Sequence, residues 1–119
     1  MNPEAIVSIH PYFKVHEGQL EAARALLPLL VEKTSSEEQC LYYNFTLRED
    51  EVFCREAYLG AAGVLAHLEN IGEMLGKLLE ISELTRLEVH GAADDLAKVK
   101  EPLAAFGPLW FEVQCGFHR

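Results

Sequence analysis

The sequence predicts one α+β domain, residues 1–119, built on an antiparallel sheet with the ferredoxin-like split βαβ order. Its 119 residues suffice for one hydrophobic core and leave little room for a second. Half of the residues are apolar, as in ordinary globular proteins. Strand-like and helix-like segments follow in the order β-α-β-β-α-β, with a further α-β pair at the end. We expect a core at about 6–90 and an extension at about 91–119.

Alternation of period two predicts five strands, at 6–15, 40–48, 51–59, 84–90 and 109–117. In the first strand, apolar residues occupy one side: Val7, Ile9, Phe13 and Val15. The second and third strands are separated only by the acidic turn Glu49-Asp50, so they are expected to form a hairpin.

Helical spacing of apolar residues predicts three helices, at 19–33, 61–79 and 94–106. Pro28 lies inside the first helix and is expected to kink it, because proline removes a backbone donor. Gly72 and Gly76 weaken the second helix, which could divide into two at these positions. The third helix is expected to be short and to surround Pro102.

The formal net charge is −9, from 10 basic and 19 acidic residues. A field of that sign repels phosphate, so neither nucleic acid nor an anionic membrane is an expected partner. No apolar run approaches the roughly 20 residues that span a bilayer, and no signal-peptide pattern begins the sequence. Cys40, Cys54 and Cys115 form no CxxC pair and lie in strand-like stretches, which is typical of reduced, buried thiols. We therefore expect a cytoplasmic protein.

Both faces of the predicted sheet carry large apolar groups. Phe45 and Phe111 alternate with Tyr42 and Trp110 on the opposite sides of their strands. Helices of a split βαβ unit cover one face, and a second apolar face would stay wet in a monomer. A twofold homodimer that packs sheet against sheet would cover it. The alternative is that the last helix and strand cover this face within one chain.

Four segments, in order, resemble the antibiotic-biosynthesis-monooxygenase-like family: His16-Glu17-Gly18, Glu38-Gln39-Cys40-Leu41-Tyr42-Tyr43, Arg55-Glu56-Ala57-Tyr58 and Leu65-Ala66-His67-Leu68. The resemblance covers about 6–90. It implies a dimeric α/β barrel with a pocket between helices and sheet. Known family activities include cofactor-free oxygenation of polyketide phenols, haem degradation, quinol oxidation and metabolism of small signalling molecules.

The sequence departs from the haem-degrading branch of that family. His10-Pro11-Tyr12 stands where that branch has an asparagine, and Tyr58 replaces a tryptophan that is often found at the end of the third strand. The second helix also lacks a late histidine for haem iron. No HExxH, P-loop, GxSxG or GxGxxG motif occurs. We therefore expect neither a metal nor an organic cofactor.

His67 is the predicted catalytic residue. It borders the apolar stripe of the second helix, and an imidazole can accept or donate a proton near neutral pH. In a cofactor-free oxygenase, removing a proton from a phenol or quinol makes it a better electron donor to oxygen. The alternative is a boundary histidine that bonds to strand backbone.

Six further residues are predicted to contact a substrate: Tyr58, Glu56, Tyr12, His10, Tyr42 and Asn44. Glu56 and Tyr58 share a strand face with Cys54 and could form a pocket wall. Glu56 could equally be a structural acceptor for Arg86. The other four form two same-face pairs, and packing in a strand or a dimer interface is the alternative for each pair.

The first functional hypothesis is a cofactor-independent monooxygenase-like enzyme acting on a small aromatic, quinol or related compound. The second is a non-catalytic module of the same fold that binds a small ligand or serves a stress response. The third is an isomerase or signal-processing enzyme that transfers protons without oxygen. The sequence leaves all three open.

Overall fold

The computed structural model describes residues 5–119. It contains five strands and three α-helices, in this order: β1 (Ile6–Val15), α1 (Leu20–Thr34), β2 (Cys40–Arg48), β3 (Glu51–Leu59), α2 (Gly60–Glu80), β4 (Ser82–Gly91), α3 (Ala93–Leu103) and β5 (Leu109–Glu112). A short 3-10 helix, Ala104–Phe106, follows α3. None of the helices in this part of the chain is both long enough and apolar enough to cross a membrane.

The strands form one sheet in the order β2-β3-β1-β4-β5. The first four pair antiparallel, which confirms the predicted ferredoxin-like split βαβ arrangement. β5 pairs parallel to β4, so the extension adds a fifth strand to the chain's own sheet. The complete sheet is therefore mixed rather than purely antiparallel.

All three helices pack on the same face of the sheet. Val7 and Ile9 of β1 contact buried residues of α2 and α3, and Phe13 and Val15 contact buried residues of α1 and α2. These four side chains alternate with polar ones along β1, so alternation alone directs them into the core. Because α3 packs beside α2, it does not cover the opposite face, which we call the open face.

Within the described residues α2 is not split, contrary to the expectation from its glycines, and the kink expected at Pro28 stays a prediction. α1 runs through Pro28 and α2 runs through Gly72 and Gly76. A proline or glycine costs a helix a few kcal/mol at most, and burial of an apolar stripe offsets such a loss. Ala23 and Leu30 supply that burial in α1.

The extension differs most from its predicted bounds. β5 ends at Glu112 rather than at residue 117, because its last partner, Gly91, is also the last residue of β4. A strand has no ladder to join beyond that point. α3 ends at Leu103, directly after Pro102, and the chain then tightens into the 3-10 helix. Cys115 consequently lies outside the sheet and is exposed, contrary to its predicted burial in a strand.

Candidate functional site

A cavity of about 60 Å³ lies between the sheet and the helices. Its walls are mainly apolar, with Ile9 from β1 and Ile71 from α2 on opposite sides. Two ionisable side chains, Glu56 and His67, also reach it. Apolar walls with a few polar groups are typical of the lining of small-molecule sites.

His67 lies in the middle of α2, on the stripe that buries Val64 and Ile71, and it is 2% exposed. Its spacing of three and four residues from these neighbours turns the imidazole toward the sheet. The imidazole is thus part of the interior, deeper than the boundary position that the sequence indicated.

Glu37, from the loop before β2, holds one side of this imidazole. The Nδ1 atom of His67 lies 2.9 Å and 3.1 Å from the two carboxylate oxygens of Glu37. Asn70 donates a hydrogen bond of 2.8 Å to the same carboxylate and another of 3.0 Å to the carbonyl of Lys33. Since a carboxylate only accepts, Nδ1 carries the proton, which leaves Nε2 as the free base.

Glu56 of β3 lies on the other side of His67. Its Oε1 atom accepts a hydrogen bond of 2.5 Å from the Tyr58 hydroxyl, and it is 3.5 Å from Nε2 of His67. Glu56 and Tyr58 are two residues apart in a strand, so they project to the same face. The result is a continuous polar chain, Glu37–His67–Glu56–Tyr58, enclosed by apolar side chains.

Burial favours the uncharged forms of both Glu56 and His67. Desolvation raises the pKa of Glu56 to about 7, the negative charge of Glu37 adds to this, and hydrogen bonds from Tyr58 and Cys54 oppose it. Desolvation also lowers the pKa of His67, against the opposing effect of Glu37. Near pH 7 the site therefore holds a neutral imidazole beside a carboxyl group that titrates near neutral pH.

Three neighbouring groups remain protonated, of which Tyr43 and Cys54 line the cavity and Tyr58 lies behind Glu56. Burial is the largest cause that raises the pKa values of Tyr58, Tyr43 and Cys54, and the charge of Glu56 raises them further. A thiol in that state is a poor nucleophile, because the thiolate is the reactive form. Proton transfer by Glu56 and His67 is thus the chemistry that this arrangement supports.

The remaining four predicted contact residues lie away from the cavity, on the open face of the sheet. His10 packs against Phe53, with ring centroids 6.2 Å apart, and Tyr12 lies 4.6 Å from the same ring. Tyr42 lies beneath the guanidinium of Arg55 at 5.6 Å. Asn44 is exposed opposite Arg55. The sheet thus separates these four side chains from His67, because strand alternation directs them to the other side.

The alternative in which Glu56 is a structural acceptor for Arg86 is wrong. Arg86 forms an ion pair with Glu88, at 2.6 Å, and both project from the face opposite Glu56.

Sequence reasoning also missed Glu37 and Asn70. Glu37 lies in a polar loop, and 30 residues separate it from His67, so no local pattern connects the two. Between residues 5 and 119, no group of three His, Cys, Asp or Glu residues is arranged to hold a metal ion.

Several solved structures are similar to this chain. MupZ from Pseudomonas fluorescens is 39% identical, with a TM-score of 0.90 over 96% of this chain and 94% of MupZ. A conserved Bacteroides thetaiotaomicron protein described as a possible oxidoreductase is 22% identical, with a TM-score of 0.65 over 72% of this chain and 96% of that one.

A putative antibiotic biosynthesis monooxygenase from Chloroflexus aurantiacus is 19% identical, with a TM-score of 0.60 over 71% of this chain and 89% of that protein. No protein-family model and no curated protein sequence matches the chain. MupZ is a relative over nearly the whole length, and the more distant structures share the fold that the resemblance implied. The chain is therefore a relative of MupZ, and it has the fold of the antibiotic-biosynthesis-monooxygenase-like proteins.

Proposed function

We propose that this protein is an enzyme that works by general acid–base catalysis, with Glu56 and His67 as the proton-transferring groups. The observation that carries the proposal is a buried carboxyl with a pKa of about 7 that lies 3.5 Å from the Nε2 atom of His67. Buried ionisable groups tuned to neutral pH are characteristic of acid–base sites. Glu37 would act as a positioning residue, because it holds the proton on Nδ1 of His67.

The first reaction class is oxygenation of a phenol, quinol or related compound without a cofactor. Nε2 of His67 would accept the hydroxyl proton of the substrate, and the resulting anion would donate an electron to oxygen. The apolar walls would keep water from competing for the anion. The names of two structural neighbours, a putative antibiotic biosynthesis monooxygenase and a possible oxidoreductase, support this class.

The second reaction class is isomerisation, in which protons move and oxygen takes no part. It is supported by the presence of an acid and a base side by side in one cavity. His67 would remove a proton from one substrate atom, and protonated Glu56 would deliver one to another. A non-catalytic ligand-binding module is the remaining alternative.

Oxygen uptake and deuterium exchange together distinguish these possibilities. The protein is incubated with phenols, quinols and enones that carry short or long alkyl groups, in buffered D₂O, with an oxygen electrode and NMR detection. Oxygen consumption that depends on the protein supports oxygenation. Deuterium incorporation without oxygen consumption supports isomerisation. If bound compounds undergo neither process, the acid–base proposal fails and the binding module takes its place.

We also propose that a second copy of the chain covers the open face. Tyr42 and Phe111 are 42% and 40% exposed there, and Phe53 lies beside the rings of His10 and Tyr12 on the same face. Sheet-to-sheet packing would bury these groups. Because Cys115 is an exposed thiol, we place this assembly in a reducing compartment, the cytoplasm.

Replacing Phe53 with glutamate is expected to convert the dimer to a monomer, because each subunit would bring an unpaired charge into an apolar interface. Sedimentation velocity measures the change. The control is Leu29→Glu, an exposed apolar position on α1, which should leave the assembly unchanged. A wild-type protein that sediments as a monomer at high concentration would exclude the proposed dimer.

A further inference from the structure

The cavity beside Glu56 and His67 is too small for most substrates. Its volume of about 60 Å³ is well below the roughly 150 Å³ cavity that accommodates benzene in another protein. The cavity therefore has room for a reacting group of a few atoms. The remainder of any larger substrate must lie outside it.

A second hollow adjoins this cavity. It has a volume of about 500 Å³ and lies between α2 and the C-terminal extension. Four residues line both spaces: Leu68, Leu75, Leu79 and Phe106. Because these side chains border both spaces, the larger space, which we call the α2 groove, lies directly beside the cavity. Its volume is within the range of small-molecule sites.

Two exposed glycines of α2 border the groove. A Cβ atom added to Gly72 or Gly76 would meet no heavy atom within 4 Å, so this side of the groove is open to solvent and has room for a larger side chain. Both residues line the groove and lie one helical turn apart on α2. The opposite wall comes from the extension, through Pro102 and Phe106.

We propose that the α2 groove binds an extended aliphatic chain of the substrate, while the polar reacting end of the same molecule enters the cavity at Glu56 and His67. This inference rests on the proposed function and adds the shape of its substrate. The wall is made chiefly of leucines, and Glu69 at its border, with the net charge of −9, disfavours an anionic outer end. An aromatic ring exceeds the cavity, so a phenol or quinol substrate would place only its hydroxyl group there, and its ring and alkyl chain would lie in the α2 groove.

The groove also assigns a role to the C-terminal extension. The extension lies outside the predicted family core, and its α3 and 3-10 helix bring Pro102 and Phe106 against α2. Leu68, Leu75 and Leu79 of α2 are half-buried beside Phe106. The extension thus supplies the second side of a binding site.

Binding of primary alcohols from butanol to decanol, measured by calorimetry, tests the proposal. For the wild type we expect affinity to increase about fourfold per methylene until the groove is filled. In the double variant Gly72→Leu/Gly76→Leu, two side chains fill the groove. In this variant the increase in affinity should stop at short chains. Decanol should therefore bind at least about tenfold more weakly than it binds to the wild type, and the affinity for butanol should be unchanged.

Two controls define the result. Glu73→Leu adds a leucine at an exposed position of α2 that does not line the groove, and it should bind like the wild type. Glu56→Gln changes the acid–base pair and leaves the groove intact, so it should keep the chain-length dependence. A failure of the acid–base proposal would therefore leave the result for the groove unchanged. An unchanged dependence on chain length in the double glycine variant would overturn the groove as a chain-binding site.

Discussion

Replacing His67 with glutamine is expected to lower turnover by about 10²–10⁴-fold, the usual contribution of a positioned acid or base. Glutamine retains an amide that can donate to Glu37, but it has no basic nitrogen at neutral pH. The rate is measured by oxygen uptake or deuterium incorporation, with whichever compound the wild type converts.

The substitution by alanine is less informative, because it leaves two buried carboxyl groups without the imidazole between them. Circular dichroism and sedimentation should show that His67→Gln keeps the fold and the assembly of the wild type. His16→Gln, the same substitution at an exposed histidine that lines neither the cavity nor the groove, serves as the matched control and should retain most of the activity. A His67→Gln enzyme with wild-type turnover and an unaltered pH profile would remove His67 from the mechanism.

Replacing Glu56 with glutamine is expected to stabilise the protein above pH 7, by about 3 kcal/mol. The pKa of Glu56 rises from 4.5 to about 7 on folding, and this shift corresponds to that free energy. Between pH 4.5 and 7 the unfolded chain loses the proton while the folded chain keeps it. Stability due to Glu56 therefore falls as pH rises through this window, and the loss is complete above pH 7.

Urea denaturation of the wild type and of Glu56→Gln at a series of pH values measures the effect. The difference in free energy of unfolding should be small near pH 4.5 and reach its maximum by about pH 8. The lowered pKa of His67 has the opposite sign, since its stabilising effect is lost as pH falls. Taking the difference between the two proteins removes most of that contribution. A difference that stays constant with pH would contradict the raised pKa of Glu56.

His67→Gln is expected to lower turnover, whereas Glu56→Gln is expected to raise stability. One physical cause connects the two results. A group tuned for proton transfer is buried in a state that costs folding free energy, so its removal can stabilise the fold while it abolishes activity. His67→Gln tests the chemistry, and Glu56→Gln tests the electrostatic penalty. Glu56→Gln should also be inactive if the carboxyl donates or accepts the proton.

The local parts of the fold could be predicted from the sequence. The bounds of β1, β2 and β3 match the period-two alternation, because each side chain's direction in a strand depends only on its own backbone. The same rule places Glu56 and Tyr58 together and directs Arg55 away from them. The ferredoxin-like order followed from the succession of elements, and His67 was identified as a candidate through the family resemblance.

Only the tertiary structure decided which residues meet. Glu37 reaches His67 across 30 residues of chain, and α3 brings Phe106 against α2, through packing that no sequence period encodes. The sheet also separates Tyr12 from His67, although both had been expected to serve one substrate. Backbone periodicity is local and can be read along the chain. Contacts between distant elements depend instead on how helices settle on the sheet, which is set by the packing of the whole core.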